Sequence, residues 1–185
     1  MLIELPFNET QLLGLFSFGL ATFAALSTSG SLRAQSRQRS LHWRWIGIFQ
    51  LAYLFEIYFG ARHLAHDFIN TTLRSVGLYQ DRASIQGLLL IGVAAGSLAI
   101  ATMLRRRIAF EPAQSSAEKI ALLCTAIALL LFLIETISLH AIDRVLYWPM
   151  GSILLIGYLW LATSIGVVFA ARRALNTGES YRTTR

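Results

Sequence analysis

Charge is scarce in this chain. Of 185 residues only 14% are Asp, Glu, Lys or Arg, against about 25% in ordinary soluble domains. A water-facing surface could barely be covered, which excludes disorder, a nucleic-acid-binding domain and most soluble enzymes. Cysteine is almost absent: Cys124 alone excludes an intrachain disulfide framework and any multi-cysteine metal site. It reads as a small apolar filler in mid-helix. The zinc-protease helix motif H-E-x-x-H is missing too. Proline occurs three times, and Pro112 and Pro149 fall near expected helix starts, where they do little harm.

What is present is apolar length. Hydrophobic residues make up 55% and the mean hydropathy is +0.56. Five stretches approach the about 20 helical residues that cross a hydrocarbon core, near 10–28, 45–65, 84–104, 119–139 and 150–171. Continuous apolar runs without two-residue alternation exclude a β-barrel. The expectation is an all-α polytopic bundle of five transmembrane helices, with residues 1–185 forming one integral membrane domain.

The basic residues set its orientation. Arg33, Arg37, Arg39 and Arg44, then Arg105, Arg106, Arg107 and Lys119, then Arg172, Arg173, Arg182 and Arg185 fall on one side of such a bundle. Arg62, Arg74, Arg82 and Arg144 fall on the other. The positive-inside rule then places the N-terminus outside and the C-terminus in the cytoplasm. A cell inner (plasma) membrane protein fits, and the basic clusters act as topology determinants rather than as a nucleic-acid surface.

Packing signals describe a bundle and no chemistry. Small residues four apart, at Gly92 and Gly96 and at Ser17, Ala21 and Ala25, let helix backbones approach closely. Trp43, Trp45, Tyr79, Tyr147 and Trp148 fit an aromatic belt at the water boundaries. Phe49, Tyr53, Phe55, Tyr58 and Phe59 read as packing.

Ionisable groups within spans are different, because each costs about 2.5–3.5 kcal/mol to insert. Glu56 falls near the middle of the second expected span and Glu135 in the outer third of the fourth. At about 100° per residue, Glu56, Gly60, His63, Asp67 and Asn70 share one line on a continuous helix. His42, Trp45, Phe49 and Tyr53 extend that line. His140 and Asp143 share a face with Thr125, Thr136 and Tyr147, while Glu135 lies about 80–140° round from most of them. His63 and Glu135 fall at a similar outward depth, with His66, Asp67, His140 and Asp143 farther out. The expectation is an outward-facing His/carboxylate pocket with Glu56 as its floor.

Three ligand classes suit such a pocket. A first-row metal would take His63, His140 and one of Glu135, Asp67 or Asp143. A haem would take His63 and His140 as axial ligands. A quinone or lipid-like head group, or a proton relay, would use Glu56, His63 and Asp67. Two further readings are a non-catalytic accessory or assembly subunit, whose buried carboxyls pair with a partner's helix, and an oligomeric transporter. No residue set identifies an enzyme. The stretch Ser138-Leu139-His140-Ala141-Ile142-Asp143 resembles an element of uncharacterised bacterial multi-pass membrane proteins, over about 130–147. The resemblance implies a bacterial inner-membrane origin and interest in His140 and Asp143, and no activity.

Overall fold

The computed structural model describes residues 7–77, 116–137 and 140–182, with scattered helical positions between 84 and 96. Side chains at 61–63, 65–66, 69–70, 137, 140–141 and 177–182 lie outside the described residues. Six helices run through the described residues: α1 (Glu9–Leu32), α2 (Arg37–Phe59), α3 (Ala61–Ser75), α4 (Ser116–Ile137), α5 (His140–Leu146) and α6 (Leu155–Arg182).

Local chemistry sets the boundaries. Asn8 caps α1 reciprocally: its Oδ1 accepts from the Gln11 amide at 2.8 Å, and its own amide donates to Gln11 Oε1 at 3.1 Å. Such a capping box satisfies two of the orphan amides at a helix start. Ser36 caps α2. Gly60 ends α2 in the left-handed conformation, φ 62°, with its amide donating to the Glu56 carbonyl at 2.8 Å. A side chain there would meet the steric penalty of that region, so Gly60→Ala is expected to lower stability by about 1 kcal/mol, read as a thermal-denaturation shift in detergent.

The expectation of five transmembrane helices is corrected. Among the described residues three helices are long and apolar enough to cross a membrane: Glu9–Leu32, Ser116–Thr136 and Leu155–Asn176. Helix α2 is not one of them. It begins at Arg37 instead of 45, so Arg37, Arg39 and Arg44 lie inside it, and it stops at Phe59. The apolar part that remains, 45–59, spans only roughly 22 Å. The expected 84–104 span falls mostly outside the described residues. The last span also starts later than expected, because 149–154 fold as a short antiparallel hairpin pairing Pro149 with Leu154 and Met150 with Ile153. Pro149 therefore sits on a strand, β1 (Pro149–Met150), preceding β2 (Ile153–Leu154), and not at a helix start.

Small residues bring the helices together. Ser17, Ala21 and Ala25 are all buried on α1, and Gly47 of α2 lies under Leu26, where a Cβ would come within 2.6 Å of its side chain. Gly166 of α6 lies directly under the Cys124 thiol, so that cysteine fills a helix crossing. At Gly92 and Gly96 an added Cβ meets nothing within 4 Å among the described residues. Two buried hydroxyls of α1 are satisfied within their own helix: Ser17 donates to the Leu13 carbonyl at 2.6 Å and Thr22 to that of Phe18 at 2.7 Å. Ser29 and Ser40 each donate to the other's carbonyl at 2.8 Å, tying α1 to α2 beside their turn.

Two apolar clusters result. One gathers Ala21, Ala25, Trp43, Ile46, Ala121 and Val167. The other gathers Phe18, Tyr53, Ile57, Ala128, Ile156 and Trp160. Trp43 is therefore a core residue at 0% exposure, whereas Trp45, at 59%, and Trp148 face outward as belt residues do. Of Phe49, Tyr53, Phe55, Tyr58 and Phe59 on α2, only Tyr53 packs inside. Phe49, Phe55, Tyr58 and Phe59 are exposed, as side chains turned toward lipid are.

Candidate functional site: a polar seam between two helices

Helices α2 and α4 run side by side in the same direction, since Arg39 meets Glu118, Gln50 meets Thr125 and Tyr53 meets Phe132. Polar groups recur along this seam at three levels.

At the first level the carboxyl of Glu118 is fully buried in the first turn of α4. Arg39 donates through Nε to its Oε1 at 2.6 Å, and His42 Nδ1 lies 3.9 Å from Oε2. Arg39 thus binds this acid directly, and His42, one turn farther along α2, faces its second oxygen. Charge-assisted bonds of this length are the stronger kind, and a buried carboxylate requires such partners.

The second level is a neutral pair. Gln50, fully buried, donates through Nε2 to Thr125 Oγ1 at 3.2 Å, and that hydroxyl donates to the Ala121 carbonyl at 2.8 Å. The remaining Gln50 oxygen, Oε1, is buried without a hydrogen-bond partner among the described residues.

The third level holds Tyr53, Glu56 and Glu135, all buried. Tyr147 donates its hydroxyl to Glu135 Oε1 at 3.1 Å. Tyr53 stacks on Phe18 with centroids 5.1 Å apart, meets the edge of Phe132 at 5.9 Å, and interacts electrostatically with both Glu56 and Glu135. Its hydroxyl is buried with no hydrogen-bond partner among the described residues. Beside it lies a cavity of about 190 Å³ walled by Phe49, Ala52, Tyr53, Glu56, Leu129 and Phe132. Aromatic and aliphatic walls with a few convergent polar atoms are the usual composition of a small-molecule pocket.

The expected site residues are thus redistributed. Glu56 is one turn from the end of α2, close to the level of Glu135, and is not a mid-depth floor; Gln50 and Thr125 hold the middle. Gly60 breaks the helix in the left-handed conformation, so Glu56–Gly60–His63–Asp67–Asn70 is not one continuous helical line. Asp67 lies on α3 and is exposed, and Asp143 is half-buried on α5. His63 and His140 fall on α3 and α5, but their side chains, and that of His66, lie outside the described residues. Among the described residues no group of three or more His, Cys, Asp or Glu is placed to hold a metal ion. The expected wide angular separation of Glu135 from its neighbours mattered little, because Tyr53 approaches it from a second helix.

Glu118 lies one residue before the apolar run 119–139, and Arg39 reads from sequence as a topology determinant, so their pairing is not legible in the sequence. A signal for Glu118 itself is present: it is an acid opening an apolar helix on the side of the chain richest in arginine.

Comparison with protein-family models, with curated proteins and with solved structures finds no match to this chain. The resemblance over 138–143 therefore names no family, and Ser138 and Leu139 lie outside the described residues. The chain is a helical, multi-pass membrane protein with apolar helices of membrane length and a buried polar cluster between α2 and α4.

Proposed function

We propose that this protein, lying in a bacterial inner membrane, binds a lipophilic ligand with a polar head, of quinone or lipid-like type, in the cavity between α2 and α4. The observation that carries this reading is Tyr53, which lines the cavity together with Glu56 and whose hydroxyl is buried without a hydrogen-bond partner among the described residues. An unpaired buried hydroxyl costs about 1–3 kcal/mol, a penalty that a ligand carbonyl or hydroxyl removes on binding. Phe49 and Phe132 supply flat apolar walls for a ring or chain, and Tyr147 steadies Glu135 nearby.

The test uses a short-chain ubiquinone as probe and quenching of the protein's intrinsic fluorescence in detergent. Saturable quenching is expected, with Tyr53→Phe and Glu56→Gln each weakening affinity about tenfold, or about 1.4 kcal/mol. Tyr53→Phe keeps the ring and its stacking, so a loss of binding there reads the hydroxyl itself. Non-saturable quenching, or equal affinity in both variants, overturns the proposal.

A further inference from the structure

The three levels of the α2–α4 seam form a file that runs along most of α4, a helix long and apolar enough to cross a membrane. From Arg39 to Glu56, and equally from Glu118 to Glu135, the helix rise amounts to roughly 25 Å, against about 30 Å of hydrocarbon. Glu118 and Glu135 stand near the two ends of Ser116–Thr136, a stretch able to cross a membrane.

From this arrangement we propose that the α2–α4 seam conducts protons between the Arg39–Glu118–His42 cluster at one end and the Tyr53–Glu56–Glu135 cluster at the other. This goes beyond the ligand pocket and does not depend on it.

Three observations carry the inference. First, both ends hold buried carboxyl groups, which accept and release protons. Second, the middle of the seam is polar where packing alone is better served by Leu or Phe: Gln50 and Thr125 lie face to face, fully or nearly buried. Third, Gln50 Oε1 and the Tyr53 hydroxyl are buried atoms with hydrogen-bonding capacity to spare. Buried polar groups are paired in the great majority of cases, and clustered exceptions mark ions, water or function. Two such atoms on successive turns of one helix face make a relay of the kind that water molecules complete.

Transfer along the file is a chain of proton exchanges with no change of oxidation state. The proton received by a carboxylate forms one O–H bond, and the same group releases that proton to the next acceptor, so each group returns to its starting state. The slow segment lies between His42 and Gln50, roughly 12 Å along α2, where Ile46 and Ala121 are buried in one apolar cluster. This apolar layer acts as the gate, and its hydration limits the rate.

The experiment reconstitutes the full chain in phosphatidylcholine vesicles with a trapped pH dye, then drives proton entry by a valinomycin-set potassium potential. Dye acidification is expected at about ten times the rate in protein-free vesicles. Glu56→Gln and Gln50→Leu are expected to lower the flux about tenfold each, as a barrier raised by one relay step would. Ile46→Ser, by wetting the gate, raises it. Thr22→Val, whose hydroxyl bonds within α1, leaves it unchanged. Circular dichroism and elution volume select variants that fold, and Tyr53→Phe replaces any that do not. Flux equal to that of empty vesicles, or flux indifferent to both Glu56→Gln and Gln50→Leu, overturns the proposal. Because no quinone is added, its failure is distinct from failure of the ligand pocket.

Discussion

Arg39→Ala is expected to lose about 3–5 kcal/mol of stability, the usual cost of stripping one partner from a buried pair. The physical reason is the asymmetry of the pair. Glu118 is fully buried, whereas the Arg39 side chain is 25% exposed. Removing the arginine strips the buried carboxylate of its 2.6 Å charge-assisted bond, while His42 Nδ1 stays 3.9 Å away. The acid must then take up a proton or pull in water. Unfolding in mixed detergent, followed by circular dichroism, measures the loss, with Arg33→Ala as the control for a basic residue not in this cluster. Replacing both members, as in R39M/E118L, is expected to recover most of the stability, because apolar groups of similar volume remove the desolvation penalty. A double variant as unstable as Arg39→Ala would show that the loss comes from packing and not from the stranded charge.

The second large effect is steric. Gly14→Leu is expected to cost about 3 kcal/mol or more, at the upper end of overpacking penalties. Gly14 sits where α1, α2 and α6 converge. A Cβ there would lie 2.7 Å from Ile57 Cδ1 and 2.8 Å from Trp160 Cε3. Neither neighbour can retreat easily, since Ile57 and Trp160 are both buried, and interiors packed to crystal density transmit such a shift. The same three-helix junction supports Phe18 and hence Tyr53, so the variant should also lose quinone-dependent quenching. Gly30→Ala is the matched control. Its Cβ meets nothing within 4 Å, and it should raise stability by roughly 0.5–1 kcal/mol through helix propensity. Thermal denaturation of the two variants side by side reads both signs in one experiment.

Individual residues show how far the sequence could be read. The scarcity of charge and the apolar runs made an all-α membrane bundle legible at once, because lipid leaves the backbone few alternatives. The small-residue stripe Ser17–Ala21–Ala25 was legible for the same reason, and all three are buried. Span boundaries were not. The apolar run of α2 gives no sign that the helix continues back to Arg37, since arginine at a helix start looks like a linker until something acidic is seen to receive it. Gly60 posed a different difficulty. A glycine inside an apolar run is compatible with a continuing helix or with a left-handed stop, and only φ decides between them. That choice mattered most for the expected site, because it puts His63 and Asp67 on a different helix from Glu56. Trp43 and Trp45 make the same point: two residues of one type at one depth, one in the core and one facing out, because of a difference of about 200° around the helix.

By itself, the sequence determined the solvent of this protein, its helical class and the presence of acids too costly to bury without partners, since composition and insertion cost are additive along a chain. Only the tertiary structure decided which acids meet which bases. That pairing depends on helix register and crossing, which place Glu118 on Arg39, Gln50 on Thr125 and Tyr53 near Glu135, positions 75 to 82 apart in the chain. Such juxtapositions arise from the packing of small residues at Gly14, Gly47 and Gly166, and no local periodicity encodes them.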